Sequence, residues 1–215
     1  MTLAGITDIR IADHRLDGGH RRWIHRCVGL ALALTATGAF AASPAQATTG
    51  LGNGSFEQPT VRAGTFQTFS VGQDIGAWNV SGGSVDLIGN GFWQAADRHQ
   101  SVDLSGNVAG AVRQTFTTRP GVRYEVIYAL AGNPDGAPSV KTGQVIINGS
   151  LAQSFTFNTA GHTRQNMGYV TRAVAFRATG VSTTLQFSST TAGAYGPVID
   201  DVSVEKCGCL SANPA

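Results

Sequence analysis

The chain has 215 residues, of which 28 are glycine and only 13% are charged. Its formal net charge of +2 arises in the first 47 residues, because eight Arg and two Lys balance ten Asp and Glu after Ala47. A neutral remainder without a clustered basic face excludes the electrostatic footprint of a nucleic-acid-binding protein. This length accommodates one good-sized domain with a leader or a tail.

Residues 1–47 have the layout of a signal peptide. A basic region that includes Arg21 and Arg22 precedes an apolar run over residues 27–42, and Ala45-Gln-Ala47 follows with small residues at both positions that cleavage requires. The apolar run is too short for a convincing membrane span. We therefore expect export with cleavage after Ala47 and no membrane contact afterwards, and the Arg pair leaves the twin-arginine route open.

From residue 52 onward the sequence predicts short β-strands separated by Gly-rich turns. The predicted strands cover residues 66–69, 77–80, 84–88, 100–104, 111–117, 122–130, 144–147, 150–157, 169–176, 181–188 and 196–205. About ten to twelve strands without a helical period indicate an all-β sandwich or barrel. Strand 122–130 is apolar on one face, and its other face turns apolar at Ile127, so this strand should be central. Asn148-Gly149 predicts a tight hairpin with a type I′ turn.

The last predicted strand contains a carboxylate among valines. With a period of two, Val198, Asp200, Val202 and Val204 share one face, which places Asp200 in the core. A buried carboxylate needs a partner. The candidate is Glu57, in the short strand-like segment Asn53-Gly-Ser-Phe-Glu57. Either a Ca²⁺ ion or a hydrogen-bond network could link Glu57 and Asp200, and an Arg partner is a further alternative.

The loop from Gly89 to His99 has the composition of a sugar-binding loop. Trp93 offers a flat ring for stacking, while Asp97, Arg98 and His99 offer hydrogen-bond acceptors and donors. The alternative is that Trp93 folds back to cover one end of the sandwich. Trp78, inside a strand, is predicted to be a core residue.

No catalytic constellation stands out in the sequence. Asp86 and Asp103 both occur in Ser-Val-Asp-Leu, and such a pair of acids could serve glycoside hydrolysis. Strand acids that face solvent are commoner, so we do not predict an enzyme. Cys207 and Cys209 form a Cys-Gly-Cys tail, for which a small disulfide loop in an oxidising compartment is favoured over a redox or metal pair.

A series of short motifs runs through residues 52–205 in a definite order. They are Asn53-Gly-Ser-Phe-Glu57, Gly83-Ser-Val-Asp-Leu-Ile88, Trp93-Gln-Ala-Ala-Asp97, Gln100-Ser-Val-Asp-Leu-Ser-Gly106, Gln114-Thr-Phe-Thr117, Leu130-Ala-Gly-Asn-Pro134, Asn166-Met-Gly168 and Gly193-Ala-Tyr-Gly-Pro197. In these motifs the chain resembles the choice-of-anchor C family, which is similar to plant cell-wall proteins with galactose-binding-like domains. The resemblance implies a galactose-binding-like jelly-roll β-sandwich. It also implies carbohydrate or cell-wall binding without a known reaction, and a structural calcium at Glu57 and Asp200.

Together these observations predict a domain over residues 48–205 and a short tail over residues 206–215. We expect a secreted or surface-associated monomer that binds a polysaccharide or a cell-wall glycan without catalysis. A structural surface protein that contacts other proteins is the first alternative, and a hydrolase acting on polysaccharide is the second.

Overall fold

Residues 50–207 are described by a computed structural model, in which they form twelve β-strands and no helix. None of these residues therefore belongs to a helix long and apolar enough to cross a membrane. The strands are β1 (Phe66–Ser70), β2 (Asp74–Ile75), β3 (Trp78–Gly82), β4 (Ser84–Ile88), β5 (Ser101–Asp103), β6 (Ala111–Thr117), β7 (Arg123–Gly132), β8 (Val140–Ile147), β9 (Ser150–Asn158), β10 (Val170–Arg177), β11 (Ser182–Ser189) and β12 (Pro197–Lys206). The predicted leader and Cys209 lie outside the described residues.

The strands pair into two six-stranded sheets. Sheet A has the order β1-β4-β5-β12-β7-β10 and sheet B the order β2-β3-β6-β11-β8-β9. All neighbouring strands are antiparallel. Among the last eight strands, the first (β5) lies beside the eighth (β12), and the second (β6) beside the seventh (β11). This winding is that of a jelly roll, so the predicted fold class is confirmed.

The core lies between the sheets and is rich in aromatic side chains. Tyr128 of sheet A and Phe187 of sheet B meet edge to face, with ring centroids 4.9 Å apart. Trp78 is fully buried beside Phe187, as the sequence predicts. β7 has a strand on each side, and its alternate residues from Tyr124 to Leu130 are buried, which explains its apolar sequence.

The Asn148-Gly149 hairpin is confirmed. Both residues have positive φ, 49° and 79°, and Ile147 pairs with Ser150 across the turn. Positive φ at both central positions is the requirement of a type I′ turn, which Asn and Gly meet most readily.

The segment Asn53–Glu57 is not a strand, contrary to the prediction. Asn53 and Phe56 have φ values of 51° and 53°, and the Phe56 N–H donates to the Asn53 carbonyl at 3.1 Å, so the backbone turns. The Asn53 side chain holds this turn by donating to the carbonyls of Gln58 and Ile75.

The predicted face of β12 is wrong because the strand contains a β-bulge. Its register against β7 shifts between Asp200 and Ser203, and Asp201 has a φ of 44°. Residues paired directly across a sheet share a face. Asp200 pairs with Ala129, whereas Val204 pairs with the inward-facing Val126, so Asp200 and Val204 lie on opposite faces. Asp200 is buried, but on the face of sheet A that points away from sheet B, called the outer face below.

Candidate functional site

Asp200 is buried because residues of a covering loop bind its carboxylate. The N–H groups of Ala96 and Asp97 donate to Asp200 Oδ2 at 2.8 and 2.9 Å. The Asp201 N–H, inside the bulge, donates to Oδ1 at 2.7 Å. Burial raises the pKa of Asp200 to about 8, and these three donors oppose the rise.

Glu57 holds the same loop a few residues further on. Its Oε1 accepts from the N–H groups of His99 and Gln100, both at 2.9 Å. The Val202 N–H donates to the Gly54 carbonyl at 2.9 Å, which fastens the segment that carries Glu57 to the bulge of β12. Glu57 and Asp200 therefore bind neighbouring positions of one loop, which runs from Ala96 to Gln100.

This arrangement does not fit a calcium ion that bridges Glu57 and Asp200. Backbone N–H groups direct partial positive charge at the oxygens that a cation would need, and Ca²⁺ requires six to eight oxygen ligands. Within residues 50–207, no group of three or more His, Cys, Asp or Glu side chains is placed to hold a metal. The geometry corresponds to the hydrogen-bonded alternative, and a melting experiment with a chelator tests it against the calcium that the sequence predicts.

Trp93 does not present an open stacking surface. Its side chain is only 5% exposed, and its Nε1–H donates to Ser101 Oγ at 2.8 Å. The ring meets Phe92 edge to face at 5.5 Å between centroids. Trp93 thus folds back, as the alternative interpretation expected, but it covers the outer face of sheet A rather than one end of the sandwich.

The other three predicted binding residues lie apart from Trp93. Asp97 is half-buried and accepts from Ser55 Oγ at 2.7 Å, while Arg98 and His99 are exposed. His99 lines a pocket of about 450 Å³ beside Glu57. Trp93 lines a different concavity, so the four predicted residues do not converge on one site.

That second concavity is a cleft on the outer face of sheet A, with a volume of about 290 Å³. We call it the outer-face cleft. It is lined by Phe66, Thr68, Asp86, Ile88, Phe92, Trp93, Gly106, Asn107, Asn133, Asp135, Arg164, Ala194 and Tyr195. Phe66 and Tyr195 are 50% and 41% exposed, so their rings are far more accessible to a ligand than the ring of Trp93.

Arg164 lines the cleft and contacts two of its other lining residues. The Arg164 guanidinium lies 4.1 Å from the centroid of Phe92 and donates to both carboxylate oxygens of Asp135, at 2.8 to 3.0 Å. The neighbouring loops are tied by the Gln94 N–H, which donates to the Arg164 carbonyl at 2.8 Å. Arg164 thereby fixes Phe92 and Asp135 in one arrangement.

Two acids of the cleft region face each other across β4 and β5. Asp86 pairs directly with Asp103 in the register of these strands. Asp86 lines the cleft and accepts from Thr68 Oγ1 at 2.6 Å, and burial raises its pKa. Asp103 is fully buried, and burial raises its pKa to about 8. Only Asp86 of the pair lines the cleft.

The family of the chain follows from its sequence. The model of a family described as "protein of unknown function (DUF642)" matches residues 49–205. The chain belongs to the DUF642 family. Halomucin of Haloquadratum walsbyi is 32% identical to it over 134 residues, which are 60% of this chain and 1% of Halomucin. The chain thus spans about 1% of the length of this curated relative.

Solved structures similar to this DUF642 chain include carbohydrate-binding modules. The CBM22-1 xylan-binding domain of Paenibacillus barcinonensis Xyn10C has a TM-score of 0.46 at 15% identity, over 70% of this chain and 99% of that one. A family 35 carbohydrate-binding module of Clostridium thermocellum has a TM-score of 0.45 at 18% identity, over 65% of this chain and 98% of that one.

Sequence reasoning missed most of the cleft. The repeated Ser-Val-Asp-Leu context marks Asp86, but no pattern in the sequence marks Asp135, Arg164 or Tyr195 as a binding residue. The available signal was their occurrence in three Gly- or Asn-containing loops, since loops on a rigid sandwich carry binding groups. Nothing in the sequence indicates that these loops meet over sheet A.

Proposed function

We propose that the mature chain is a secreted, monomeric, non-catalytic module of the choice-of-anchor C type that binds polysaccharide or cell-wall glycan. The outer-face cleft carries this proposal, because it combines exposed rings with carboxylate, amide and guanidinium groups in one concave surface. A sugar has an apolar ring face and a rim of hydroxyls, and this mixture of surfaces complements both.

The charges of the cleft support a neutral glycan as the ligand. Among the described residues that line it, Arg164 is the one cation, and it is already bound to Asp135. Asp86 adds a carboxyl group to the cleft, and among the described residues it forms no ion pair. A polyanionic glycan would meet repulsion from Asp86 without a free cation in the cleft, whereas sugar hydroxyls can donate to this carboxylate.

The carboxylates of the cleft support binding rather than hydrolysis. Glycoside hydrolysis requires two carboxyl groups that both reach the scissile bond. Asp103 is fully buried and accepts three hydrogen bonds, and Asp135 is engaged by Arg164. In the described part of the chain, Asp86 is therefore the one carboxylate available to a ligand in this cleft.

The proposal is tested by retention on insoluble cellulose, xylan and galactan, with polygalacturonate as the anionic comparison. We expect the wild type to bind at least one neutral polymer. Tyr195→Ala should weaken retention about tenfold, because a stacked ring contributes about 0.5–1.5 kcal/mol beyond its buried area. Leu151→Ala is the matched control, since it removes a similarly exposed apolar side chain (59%) on β9 of sheet B.

The exposed loop residues provide the competing site. If the Arg98→Ala, His99→Ala double variant loses retention while Tyr195→Ala keeps it, the glycan binds at the pocket beside Glu57 instead. If no polymer retains the wild type, but immobilised surface proteins of the organism that produces the chain do retain it, the structural-protein alternative replaces the proposal. Export is tested separately by the intact mass of the secreted chain, which should begin after Ala47.

A further inference from the structure

Asp103 lies beneath the outer-face cleft and binds three separate segments of chain. The Ser105 N–H donates to its Oδ1 at 2.8 Å, and the Gly196 N–H to the same oxygen at 3.0 Å. The Asn133 side-chain amide donates to Oδ2 at 2.7 Å. These segments continue directly into the cleft-lining residues Asn107, Asp135 and Tyr195. One carboxylate thus anchors the three loops that form one side of the cleft.

Lys141 reaches the same place from the opposite sheet. It belongs to β8 of sheet B and is fully buried, and its Nζ donates to the Gly136 carbonyl at 2.7 Å. Its stem passes Gly132 so closely that a Cβ there would lie 2.7 Å from Lys141 Cγ. The ammonium also lies 5.9 Å from the centroid of Tyr195. A fully buried lysine is costly to maintain, so this position calls for an explanation.

Asp103 and Lys141 hold the turn over residues 133–136 at its two ends. Asp103 holds the turn at Asn133, whose Oδ1 in turn accepts from the Asp135 N–H at 2.9 Å. Lys141 holds it at Gly136. Tyr195 packs onto this same glycine, where a Cβ would lie 2.3 Å from Tyr195 Cδ2. The turn, and with it the orientation of Tyr195, is therefore set by two buried polar side chains, one from each sheet.

We infer that Asp103 and Lys141 are positioning residues of the glycan site. They fix the loops of Asn107, Asp135 and Tyr195 in the arrangement that forms this side of the cleft, without touching the ligand. This inference rests on the proposed function for its consequence in binding, but the ordering of the three loops can be measured without any ligand. Preorganisation of this kind raises affinity because the free protein does not need to order its loops on binding.

Asp200 supplies a matched control for Asp103. Both are buried carboxylates on the outer face of sheet A, and both accept three N–H donors. The residues that Asp200 binds, Ala96, Asp97 and Asp201, do not line the cleft, although the loop of Ala96 and Asp97 also carries Phe92 and Trp93, which do. Asp103→Asn and Asp200→Asn therefore make the same chemical change at comparable burial, and only the first removes a contact to the segments that contain Asn107, Asp135 and Tyr195.

The first measurement is amide hydrogen exchange of the free full chain. Asp103→Asn should accelerate exchange at residues 105–107, 133–136 and 194–196, and Lys141→Met at residues 133–136. Asp200→Asn should accelerate exchange at residues 96–97 instead. The inference is overturned if Asp103→Asn accelerates amide exchange equally throughout the sandwich. It is also overturned if neither Asp103→Asn nor Lys141→Met accelerates exchange at residues 133–136. Lys141→Met preserves the test if Asp103→Asn does not fold.

The second measurement is affinity for the neutral polymer that the wild type binds. Asp103→Asn and Lys141→Met should each weaken binding at least about tenfold, equivalent to about 1.4 kcal/mol. Asp200→Asn should stay within about twofold, or about 0.4 kcal/mol. If Asp103→Asn and Lys141→Met both bind the polymer as tightly as the wild type although their amide exchange is altered, Asp103 and Lys141 have no role in binding. If the wild type binds no polymer, the proposed function fails, and the exchange data still decide whether these residues position the loops.

Discussion

At the scale of single residues, the two tryptophans Trp78 and Trp93 have the same role despite their different sequence contexts. Trp78 lies in a strand and Trp93 in a loop, yet they are 0% and 5% exposed. Each also donates its Nε1–H, Trp78 to the Asn53 carbonyl at 3.0 Å and Trp93 to Ser101 Oγ at 2.8 Å. A loop tryptophan with a buried ring and a satisfied N–H has the contacts of a structural residue, and we predict that role for Trp93.

Trp93→Ala should therefore lower the free energy of unfolding by about 3–5 kcal/mol, as deletion of a core tryptophan does. Trp78→Ala should cost a similar amount. Denaturant titration of both variants measures the two values. Normal stability together with lost glycan retention in Trp93→Ala would restore the stacking role that the sequence suggested.

The buried acids Asp103 and Asp200 make stability depend on pH. Burial raises both pKa values from 3.8 to about 8. Between these values the folded state holds protons that the unfolded state lacks, so the free energy of unfolding falls as pH rises. The contribution is complete below about 3.8 and is lost as pH rises through about 8.

We expect chemical denaturation between pH 5 and 9 to show a declining free energy of unfolding, with the slope set by linkage. Asp200→Asn should flatten this decline, since an amide does not titrate. A wild-type profile that rises over the same interval would show that the N–H donors around these carboxylates outweigh the effect of burial.

At the scale of structural elements, the β8–β9 hairpin depends on one glycine. Gly149 has a φ of 79°, and an added Cβ would contact nothing within 4 Å, so the backbone conformation alone disfavours other residues. Gly149→Ala should therefore cost about 1–2 kcal/mol, the penalty of a left-handed conformation.

Gly180→Ala is the control for this prediction. Gly180 has no positive φ, and a Cβ there would meet Ser182 only at 3.6 Å or more. That substitution should be neutral or slightly stabilising, because alanine reduces the entropy of the unfolded chain. Thermal melts of the pair give the comparison, and equal costs would contradict the conformational argument.

Most strands can be predicted because the alternation of apolar and polar residues within each segment indicates them. The alternation in β6 predicted Ala111–Thr117 with its observed bounds, and β4 was likewise predicted as Ser84–Ile88. The face of β12 was not predictable, since the bulge at Asp201 is stabilised by Gly54, far away in sequence. The two-residue strand β2 is too short to show a period.

The outer-face cleft was beyond sequence reasoning for a related reason. Its floor follows from strand register, which brings Asp86 opposite Asp103, and its walls from loops that meet only in the folded chain. Composition suggested the correct type of residue in the loop around Trp93, but composition does not distinguish a buried ring from an exposed one. Tyr195, in contrast, has no sequence feature that marks it as exposed.

At the scale of the whole molecule, the carboxylates Glu57 and Asp200 join the segment before β1 to the last strand without requiring a metal. We therefore expect the melting temperature to be unchanged by a chelator. If calcium instead bridges these residues, the chelator should lower the melting temperature, and Ca²⁺ but not Mg²⁺ should restore it, with about 2.7 kcal/mol gained at 100 times the dissociation constant.

The position of β12 has a consequence for how the chain folds. β12 lies in the interior of sheet A between β5 and β7, so a chain that ends before Pro197 has this sheet in two separate parts. Pairing β12 with β5 also closes a very long loop, and such distant contacts make folding slow. Sheet A is therefore completed only after synthesis has reached its final strand, whereas all the strands of sheet B are made before it.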